Sequence, residues 1–249
     1  MVSEREKLDI LGVEVDRVTM DSALDAFRGF LDSDGCSLIV TPNSEIVLNA
    51  TKDPSLAELI SSADLVIPDG IGLVYASRIA GSPLKERVTG IDFSYNALKL
   101  LAERGGSAYL FGSKPGIAEK AAEKLKEQIP GLRIAGFRDG YYRPEEEAEI
   151  AAGIMASGAD FLLAALGSPK QEKFIADHRE DLGVRAAIGV GGSLDVWSGT
   201  LERAPQFYID HGLEWLFRLK QEPKRIKRTA KLPLFLIKVL LTGRKNGDH

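Results

Sequence analysis

Residues 64–81 read DLVIPDGIGLVYASRIAG, and the order of patterns in this stretch decides the predicted fold. A short apolar run ends at Pro68, and a helical pattern of apolar residues follows Gly70. The same order, a short apolar run and then an amphipathic stretch, recurs from residue 37 onward. Strands that alternate with helices predict a parallel sheet covered on both faces. We therefore expect an α/β fold that is Rossmann-like, with a mostly parallel sheet and helices on both of its faces.

The pattern also predicts where the elements lie. Strands are expected at 37–41, 64–67, 107–111, 132–136, 160–165 and 184–190, and helices at 44–51, 54–62, 71–80, 91–104, 115–128, 144–156 and 169–180. A small N-terminal hairpin at 10–18 and a helix at 21–31 are expected to precede the sheet. We divide the chain into an α/β core at 1–213 and a helical, basic C-terminal appendage at 214–249.

Composition narrows the class of protein. The single cysteine, Cys36, excludes an internal disulfide and fits a reducing cytosol. The charged start MVSEREKLDI does not have the pattern of a secretory signal. No stretch has the roughly 18 consecutive apolar residues that a membrane-spanning helix needs. We therefore expect a cytoplasmic globular protein.

Charge is unevenly distributed along the chain. The formal net charge is −4, yet residues 214–245 contain ten Lys or Arg and only two Glu. A basic segment on an acidic body predicts an anionic partner, which could be nucleic acid, a membrane surface or phosphates. The apolar run LPLFLIKVLL at 232–241 favours an anionic membrane surface, although an ordinary surface helix with solvated charges also fits. Because no nucleic-acid-binding signature is present, we do not expect nucleic acid as a partner.

Polar and turn-forming residues follow each predicted strand. Gly, Pro, Asn, Asp and Gln are concentrated in TPNSE (41–45), PDGIG (68–72), GSKPG (112–116), GFRDGYY (136–142), GSPKQE (167–172) and GVGGSLD (189–195). The carboxyl ends of parallel strands meet at one edge of a sheet, where open α/β folds bind their ligands. The sequence therefore predicts a ligand site at this edge.

Asp69 is the acid at that edge with two competing interpretations. It fits a general base held at the end of a strand, and it fits an N-cap for the helix that begins near Ile71. Local sequence favours the cap, and both roles are compatible. Arg87 is equally consistent with a surface charge and with a clamp for an anion.

Other residues of the edge suggest contacts with a sugar or a phosphate. Lys170 and Gln171 open a helix, and on the same edge as Thr41 and Asn43 they become candidate ligand contacts. No metal site is predicted, because the three histidines have no ligand spacing and no HExxH or cysteine cluster occurs. The acidic pair at 32–34 precedes a strand, so we expect a surface turn there.

Taken together, the loops resemble one family. The segments TPNSEIVLNA, IPDGIGLVYASRIAG, RVTGIDF, LFGSKPGIAEKAAEKL, LGSPKQEKFI, IGVGGSLDVWSGTLERAP and GLEWLFRLKQEPKRIKR resemble the TagA/WecG/CpsF glycosyltransferases over roughly residues 8–230. The resemblance implies a transfer of N-acetylmannosamine, with inversion, from its UDP conjugate to the 4-hydroxyl of N-acetylglucosamine on undecaprenyl diphosphate, a step of wall teichoic acid synthesis. It implies no cofactor and no metal. It also implies a cytoplasmic protein attached peripherally to the inner face of the cell membrane, with self-association into a homo-oligomer left open.

The resemblance also assigns roles to residues. The aspartate of the PDG motif, Asp69, would be the catalytic base. Thr41, Asn43 and Gln171 would line the sugar pocket together with Lys170. The loop with Gly191, Gly192 and Asp195 would bind UDP, and Arg87 would face the diphosphate. Three tail arginines would offset the charge on departing UDP: Arg218, Arg225 and Arg228.

Alternatives remain at this point. Within the family, a donor such as UDP-N-acetylmannosamine uronic acid is the closest alternative. GVGGSLD also resembles a dinucleotide-binding fingerprint, but Leu194 stands where a third glycine belongs, which disfavours an oxidoreductase. The third alternative is a non-catalytic module that binds a lipid diphosphate through its basic tail.

Overall fold

A computed structural model describes residues 5–223, 226 and 230–243. Its main sheet has six parallel strands in the spatial order β4-β3-β8-β7-β5-β6, and a separate antiparallel hairpin, β1-β2, precedes it. The strands are β1 Lys7–Ile10, β2 Val13–Asp16, β3 Ser37–Val40, β4 Leu65–Val66, β5 Ser107–Gly112, β6 Arg133–Arg138, β7 Phe161–Ala165 and β8 Ala186–Gly189. The predicted α/β class, the parallel sheet and the N-terminal hairpin are confirmed.

Helices connect the strands. They are α1 Met20–Leu31, α2 Ser44–Ala50, α3 Pro54–Ser61, α4 Ile71–Ile79, α5 Gly90–Glu103, α6 Ile117–Gln128, α7 Glu147–Ala156, α8 Lys170–Asp177, α9 Ser193–Trp197, α10 Gln206–Asp210, α11 Glu214–Gln221 and α12 Lys231–Gly243, with a 3₁₀ turn at Pro144–Glu146. The expected elements agree with these bounds within a few residues.

All strands of the main sheet except the edge strand β6 are buried on both faces, which explains why they read as continuous apolar runs rather than alternating ones. In β3 all four residues are buried, with Ile39 on one face and Leu38 and Val40 on the other. The first face is covered by α1, α5, α6 and α9. The second is covered by the hairpin and by α2, α3, α4, α7, α8 and α12. This two-sided packing fixes all carboxyl ends of the strands at one edge.

The hairpin supports the edge strand β4. Asp16, at the end of β2 and 1% exposed, accepts the backbone N–H of Val66 at 2.7 Å and the Arg5 Nε–H at 3.2 Å. A buried carboxylate needs such partners, because an unpaired one is strongly destabilising. The interaction holds β4 in place three residues before Asp69.

The C-terminal segment packs on the core in this structure. Phe235 and Val239 of α12 are buried against the second face, and Lys231 Nζ lies 2.9 Å from Glu45 Oε1 of α2. On the other side of α12, four apolar side chains are exposed: Leu234, Ile237, Leu240 and Leu241. Within the described part of the chain, no helix is long and apolar enough to cross a membrane.

Candidate active site

A cleft of about 520 Å³ opens at the carboxyl edge of the sheet. Its lining comes from the loops that follow β3, β4, β7 and β8, and from the C-terminal helices α11 and α12. Residues from sequence positions 41 to 232 meet there, because parallel strands bring their carboxyl ends together. Of the predicted site residues that the structure describes, the cleft brings together Thr41, Asn43, Asp69, Arg87, Gln171, Gly191, Gly192, Asp195 and Arg218.

Asp69 lies where β4 gives way to α4. Its backbone N–H donates to Pro42 O at 2.9 Å, which ties the turn to the loop after β3. Gly70 follows with φ +87°, a conformation that costs glycine little and other residues considerably more. Gly70 itself is the N-cap of α4, and no side chain caps that helix. The expectation that Asp69 caps the helix is therefore wrong, because Gly70 occupies the N-cap position of the helix that begins, as expected, at Ile71.

The surroundings of Asp69 raise the pKa of its carboxyl to about 6. Burial contributes most, since it disfavours the charged form, and the carboxylate of Glu214 adds to the effect. Arg87 and Arg218 act in the opposite direction, as does the Gly90 N–H that donates to the carboxylate. A carboxylate with this pKa is a stronger base than an ordinary aspartate and is still mostly ionised at neutral pH.

Arg87 is engaged with the C-terminal helices. Its Nη2 donates to Glu214 Oε2 of α11, and its Nη1 donates to Ile209 O at 2.9 Å. Both side chains of the ion pair are largely buried, at 20% and 17% exposure. Arg87 thus connects the α10–α11 segment to the rim of the cleft.

Thr41 and Asn43, which follow β3, also line the cleft. Asn43 accepts the N–H groups of Glu45 and Ile46 through Oδ1, at 2.9 and 3.1 Å, and so caps α2. That bond directs its amide N–H₂ away from the helix. Thr41 donates its hydroxyl to Gly189 O at 3.3 Å, which links β3 to β8 across the floor of the cleft.

Asp195 lines the same cleft and also borders a second cavity. The hydroxyl of Ser113, the residue after β5, is 3.1 Å from both carboxylate oxygens of Asp195. A second cavity of about 360 Å³ shares Asp195, Ala165 and Leu166 with the first and extends toward Tyr141. The two cavities together form an elongated site.

Lys170 lies apart from the other predicted site residues that the structure describes. Lys170 is exposed, lies outside the cleft lining, and has its Nζ 3.7 Å from the centre of the Tyr142 ring. Arg225 and Arg228 lie outside the described residues. Their roles stay predictions.

Acidic residues of the described chain do not form a metal centre. No group of three or more His, Cys, Asp or Glu among residues 5–223, 226 and 230–243 is arranged to hold a metal ion. At the opposite edge of the sheet, Asp32 pairs with Arg104, and Asp34 pairs with Arg185 at 3.0 Å.

Several residues of the site did not stand out in the sequence. Glu214, Trp215 and Leu232 line the cleft from the C-terminal segment, and Ser113 holds Asp195. Glu172, 2% exposed, contacts Gln171 from within α8. The segment GLEW (212–215) carried a usable signal, because an acid and an aromatic interrupt an otherwise basic tail.

A parallel α/β sheet with an elongated cleft, a raised-pKa carboxylate and arginines at its carboxyl edge is typical of enzymes that act on nucleotide-linked substrates. Comparison with known proteins gives the particular family. The profile described as "Glycosyl transferase WecG/TagA/CpsF family" matches residues 8–248. The chain belongs to the WecG/TagA/CpsF family of glycosyl transferases.

Characterised relatives share one name. A Bacillus spizizenii protein is 37% identical over 226 residues, which cover 89% of this chain and 87% of that protein. A Bacillus subtilis protein is 35% identical over 86% of this chain and 82% of its own length. A Staphylococcus aureus protein is 33% identical over 98% of this chain and 96% of its own length. Each is named N-acetylglucosaminyldiphosphoundecaprenol N-acetyl-beta-D-mannosaminyltransferase.

Proposed function

We propose that this protein transfers N-acetylmannosamine from UDP-N-acetylmannosamine to the 4-hydroxyl of N-acetylglucosamine on undecaprenyl diphosphate, with inversion at the anomeric carbon. This is the linkage-unit step of wall teichoic acid synthesis. The name shared by the relatives supports the transferred sugar and the lipid-linked acceptor. Their similarity extends over most of both chains.

The observation that carries the proposal is the position of Asp69. Its carboxylate lines the cleft, has a pKa raised to about 6, and lies within the influence of two arginines. In the proposed reaction the carboxylate takes the proton of the acceptor hydroxyl. The hydroxyl oxygen then forms a bond to the anomeric carbon on the face opposite UDP. The bond from that carbon to the phosphate oxygen breaks, and UDP leaves with the electron pair.

Cationic side chains would stabilise the departing UDP. Arg218 lies on the cleft wall and already lowers the pKa of Asp69, so its charge acts at the reacting centre. Arg87 would serve the diphosphate once Glu214 is displaced. Fixed positive charges aimed at developing negative charge are among the largest contributions to catalysis. Arg225 and Arg228 are proposed to join them.

Donor recognition is assigned to the remaining walls. Thr41 and Asn43 line the same cleft as Asp69 and would face the sugar, Gln171 would line the pocket by holding the loops beside it, and Lys170 would approach from the rim. The loop of Gly191 and Gly192 leads to Asp195, so the nucleotide would extend toward the second cavity.

We further propose that α12 places the protein on the inner face of an anionic membrane, where its acceptor resides. The helix presents an exposed apolar face, and the segment that contains it carries the excess of basic residues. Apolar contact and attraction to anionic headgroups together favour interfacial binding. Leu232 of α12 also lines the cleft, so the membrane-facing helix borders the site of reaction.

The test is the identity of the product. The full-length protein would be incubated with a short-chain lipid-diphosphate N-acetylglucosamine and either UDP-N-acetylmannosamine or its uronic acid counterpart. We expect UDP release and a disaccharide-lipid product with the first donor and not with the second. A product from the uronic acid alone would contradict the proposed donor. Absence of any product, with UDP-sugar and acceptor both present, would contradict the proposed transfer.

A further inference from the structure

Gln171 connects two loops of the cleft. Its Oε1 accepts the N–H of Gly167, in the loop after β7, and the N–H of Gly191, in the loop after β8, each at 3.1 Å. A glutamine carbonyl has two lone pairs, and both are used by these bonds. The side chain is 4% exposed. Gln171 thus holds the two loops at a fixed separation, a role different from that of a free side chain reaching for a sugar.

Glu172 holds the other end of the same amide. Gln171 Nε2 donates to Glu172 Oε1 at 2.9 Å, and Glu172 is 2% exposed. A glutamine amide can be turned over at little cost unless its neighbours distinguish oxygen from nitrogen. Here both ends of the amide distinguish them, because the two glycine N–H groups require an acceptor and the Glu172 oxygen requires a donor. Glu172 therefore reinforces the orientation in which Oε1 of Gln171 faces the two glycine N–H groups.

The carboxylate has no evident reason to be buried for stability. Burial raises the pKa of the Glu172 carboxyl, although hydrogen bonds from the Gln171 amide and the Ser168 hydroxyl act to lower it. An apolar side chain of similar volume would avoid the cost of desolvating the acid. Residues that reduce stability are commonly retained where they serve a site.

Gly189 completes the arrangement. A Cβ at this position would lie 2.3 Å from Gln171 Nε2 and 2.8 Å from its Cδ. The amide plane therefore lies directly on the backbone at the end of β8, and only glycine leaves room for it. This contact explains in physical terms why glycine stands at the start of GVGGSLD.

We propose that Glu172 is a positioning residue for the donor site: it orients the amide of Gln171, which in turn sets the spacing of the loops at Gly167 and Gly191. The inference rests on the proposed function, in which the loop of Gly191 and Gly192 binds UDP. Glu172 does not touch the substrate in this assignment. It acts only through Gln171.

The test measures UDP binding by calorimetry beside thermal unfolding. Glu172→Met removes the acceptor and keeps the volume, and we expect the Kd for UDP to rise about tenfold while the melting temperature is unchanged or higher. Glu172→Gln keeps an acceptor oxygen and should restore affinity to within about threefold of wild type. Gln171→Met should raise the Kd for UDP as much as Glu172→Met does. The double variant should bind UDP as weakly as either single variant, because both substitutions disrupt the same interaction.

A second substitution, at Gly189, disturbs the Gln171 amide directly. Gly189→Ala should weaken UDP binding by about tenfold through the Cβ contact, without altering Glu172. Gly153→Ala is the matched control, because Gly153 is exposed in α7 with nothing near its Cβ position, and it should bind UDP as wild type does.

The possible negative results distinguish a failure of the proposed function from a failure of this inference. Absence of UDP binding by the wild-type protein would overturn the proposed donor class and this inference with it. Wild-type binding together with unchanged affinity in Glu172→Met would overturn the inference alone. Additive losses in the double variant, or a loss of affinity that merely follows a lowered melting temperature, would also overturn it.

Discussion

Glu214 and Arg87 form an ion pair at the rim of the cleft, and the same glutamate raises the pKa of Asp69. The two partners are 127 positions apart in the chain. The pair thereby connects the C-terminal helix α11 to the reacting carboxylate. A diphosphate that approached Arg87 would compete with Glu214 for the guanidinium. In the proposed reaction, donor binding and the basicity of Asp69 would therefore be electrostatically coupled.

Glu214→Gln should reveal this coupling. Removing the negative charge takes away an influence that raises the pKa of Asp69, so that pKa should fall. Because the base must be ionised, activity is lost as the pH drops below its pKa. We expect the acid limb of the pH–rate profile to move to lower pH, by up to about one unit. The apparent KM for the UDP-sugar should fall as well, since Arg87 becomes available to the diphosphate.

The control for that variant is Glu123→Gln, which makes the same change on the exposed surface of α6. Its pH profile and KM should equal those of the wild type. A Glu214→Gln protein with an unmoved acid limb and an unchanged KM would show that the ion pair has no bearing on the reaction.

Asp69→Asn should stabilise the protein at neutral pH. The pKa of Asp69 is higher in the folded protein, about 6, than its ordinary value of 3.8. The folded state therefore binds the proton more tightly, and ionisation lowers the stability as pH rises through this window. Asparagine avoids that cost, so we expect a gain of about 1–3 kcal/mol in the free energy of unfolding at pH 8.

The gain should shrink as the pH is lowered, and it should vanish below about pH 4, where both states of the wild type are protonated. Urea unfolding of both proteins at pH 4 and pH 8 would measure it. If the difference in unfolding free energy between Asp69→Asn and wild type were the same at pH 4 and pH 8, the Asp69 carboxyl would not be desolvated in the folded protein.

Asp16→Ala should destabilise the fold. The substitution leaves the Val66 N–H and the Arg5 guanidinium without their buried acceptor, at an expected cost of about 2–4 kcal/mol. Glu14→Gln on the same hairpin removes only an exposed pair with Lys7 and should change stability by less than about 0.5 kcal/mol. Chemical denaturation of wild type and both variants would measure these costs. A loss of unfolding free energy for Asp16→Ala no larger than that for Glu14→Gln would refute the claim that the buried Asp16 carboxylate stabilises the fold.

The exposed face of α12 predicts a separable membrane function. Replacing Leu234, Ile237 and Leu241 by serine should abolish flotation with phosphatidylglycerol vesicles, while turnover of a water-soluble acceptor is retained. These side chains are 54–63% exposed, so the fold should tolerate the change. Phe137→Ser with Met155→Ser, at exposed apolar positions elsewhere, provides the control. Undiminished flotation of the α12 variant would exclude this face as the attachment surface.

Much of the fold could be predicted because it depends on local patterns. The run SLIV (37–40) is apolar at three of its four positions without alternating, which is the property of a strand buried on both faces. The ends of the strands were predicted from Gly, Pro and Asn, whose backbone preferences act locally. The start of α4 at Ile71 was predicted, but its cap was not, since the positive φ of Gly70 depends on the packing around the turn.

The candidate site was only partly predictable, because charge pairing and hydrogen bonding across loops depend on the folded chain. Gln171 was expected to face a sugar, but its carbonyl is occupied by two glycine N–H groups brought together by adjacent strands. Glu214 reads as one acid in a basic tail, and nothing local indicates that it reaches Arg87. Strand order, which determines both contacts, has no short-range signature.

The role of Asp69 as the base is the central claim, and acceptor-dependent UDP release by wild type and Asp69→Asn tests it most directly. Both proteins would first be shown by calorimetry to bind the UDP-sugar with similar affinity, so that a loss of rate reports on the reaction itself. We expect the asparagine variant to turn over about 10²–10⁴-fold more slowly, because it cannot accept the hydroxyl proton. Turnover within about tenfold of wild type would contradict the assignment of Asp69 as the catalytic base.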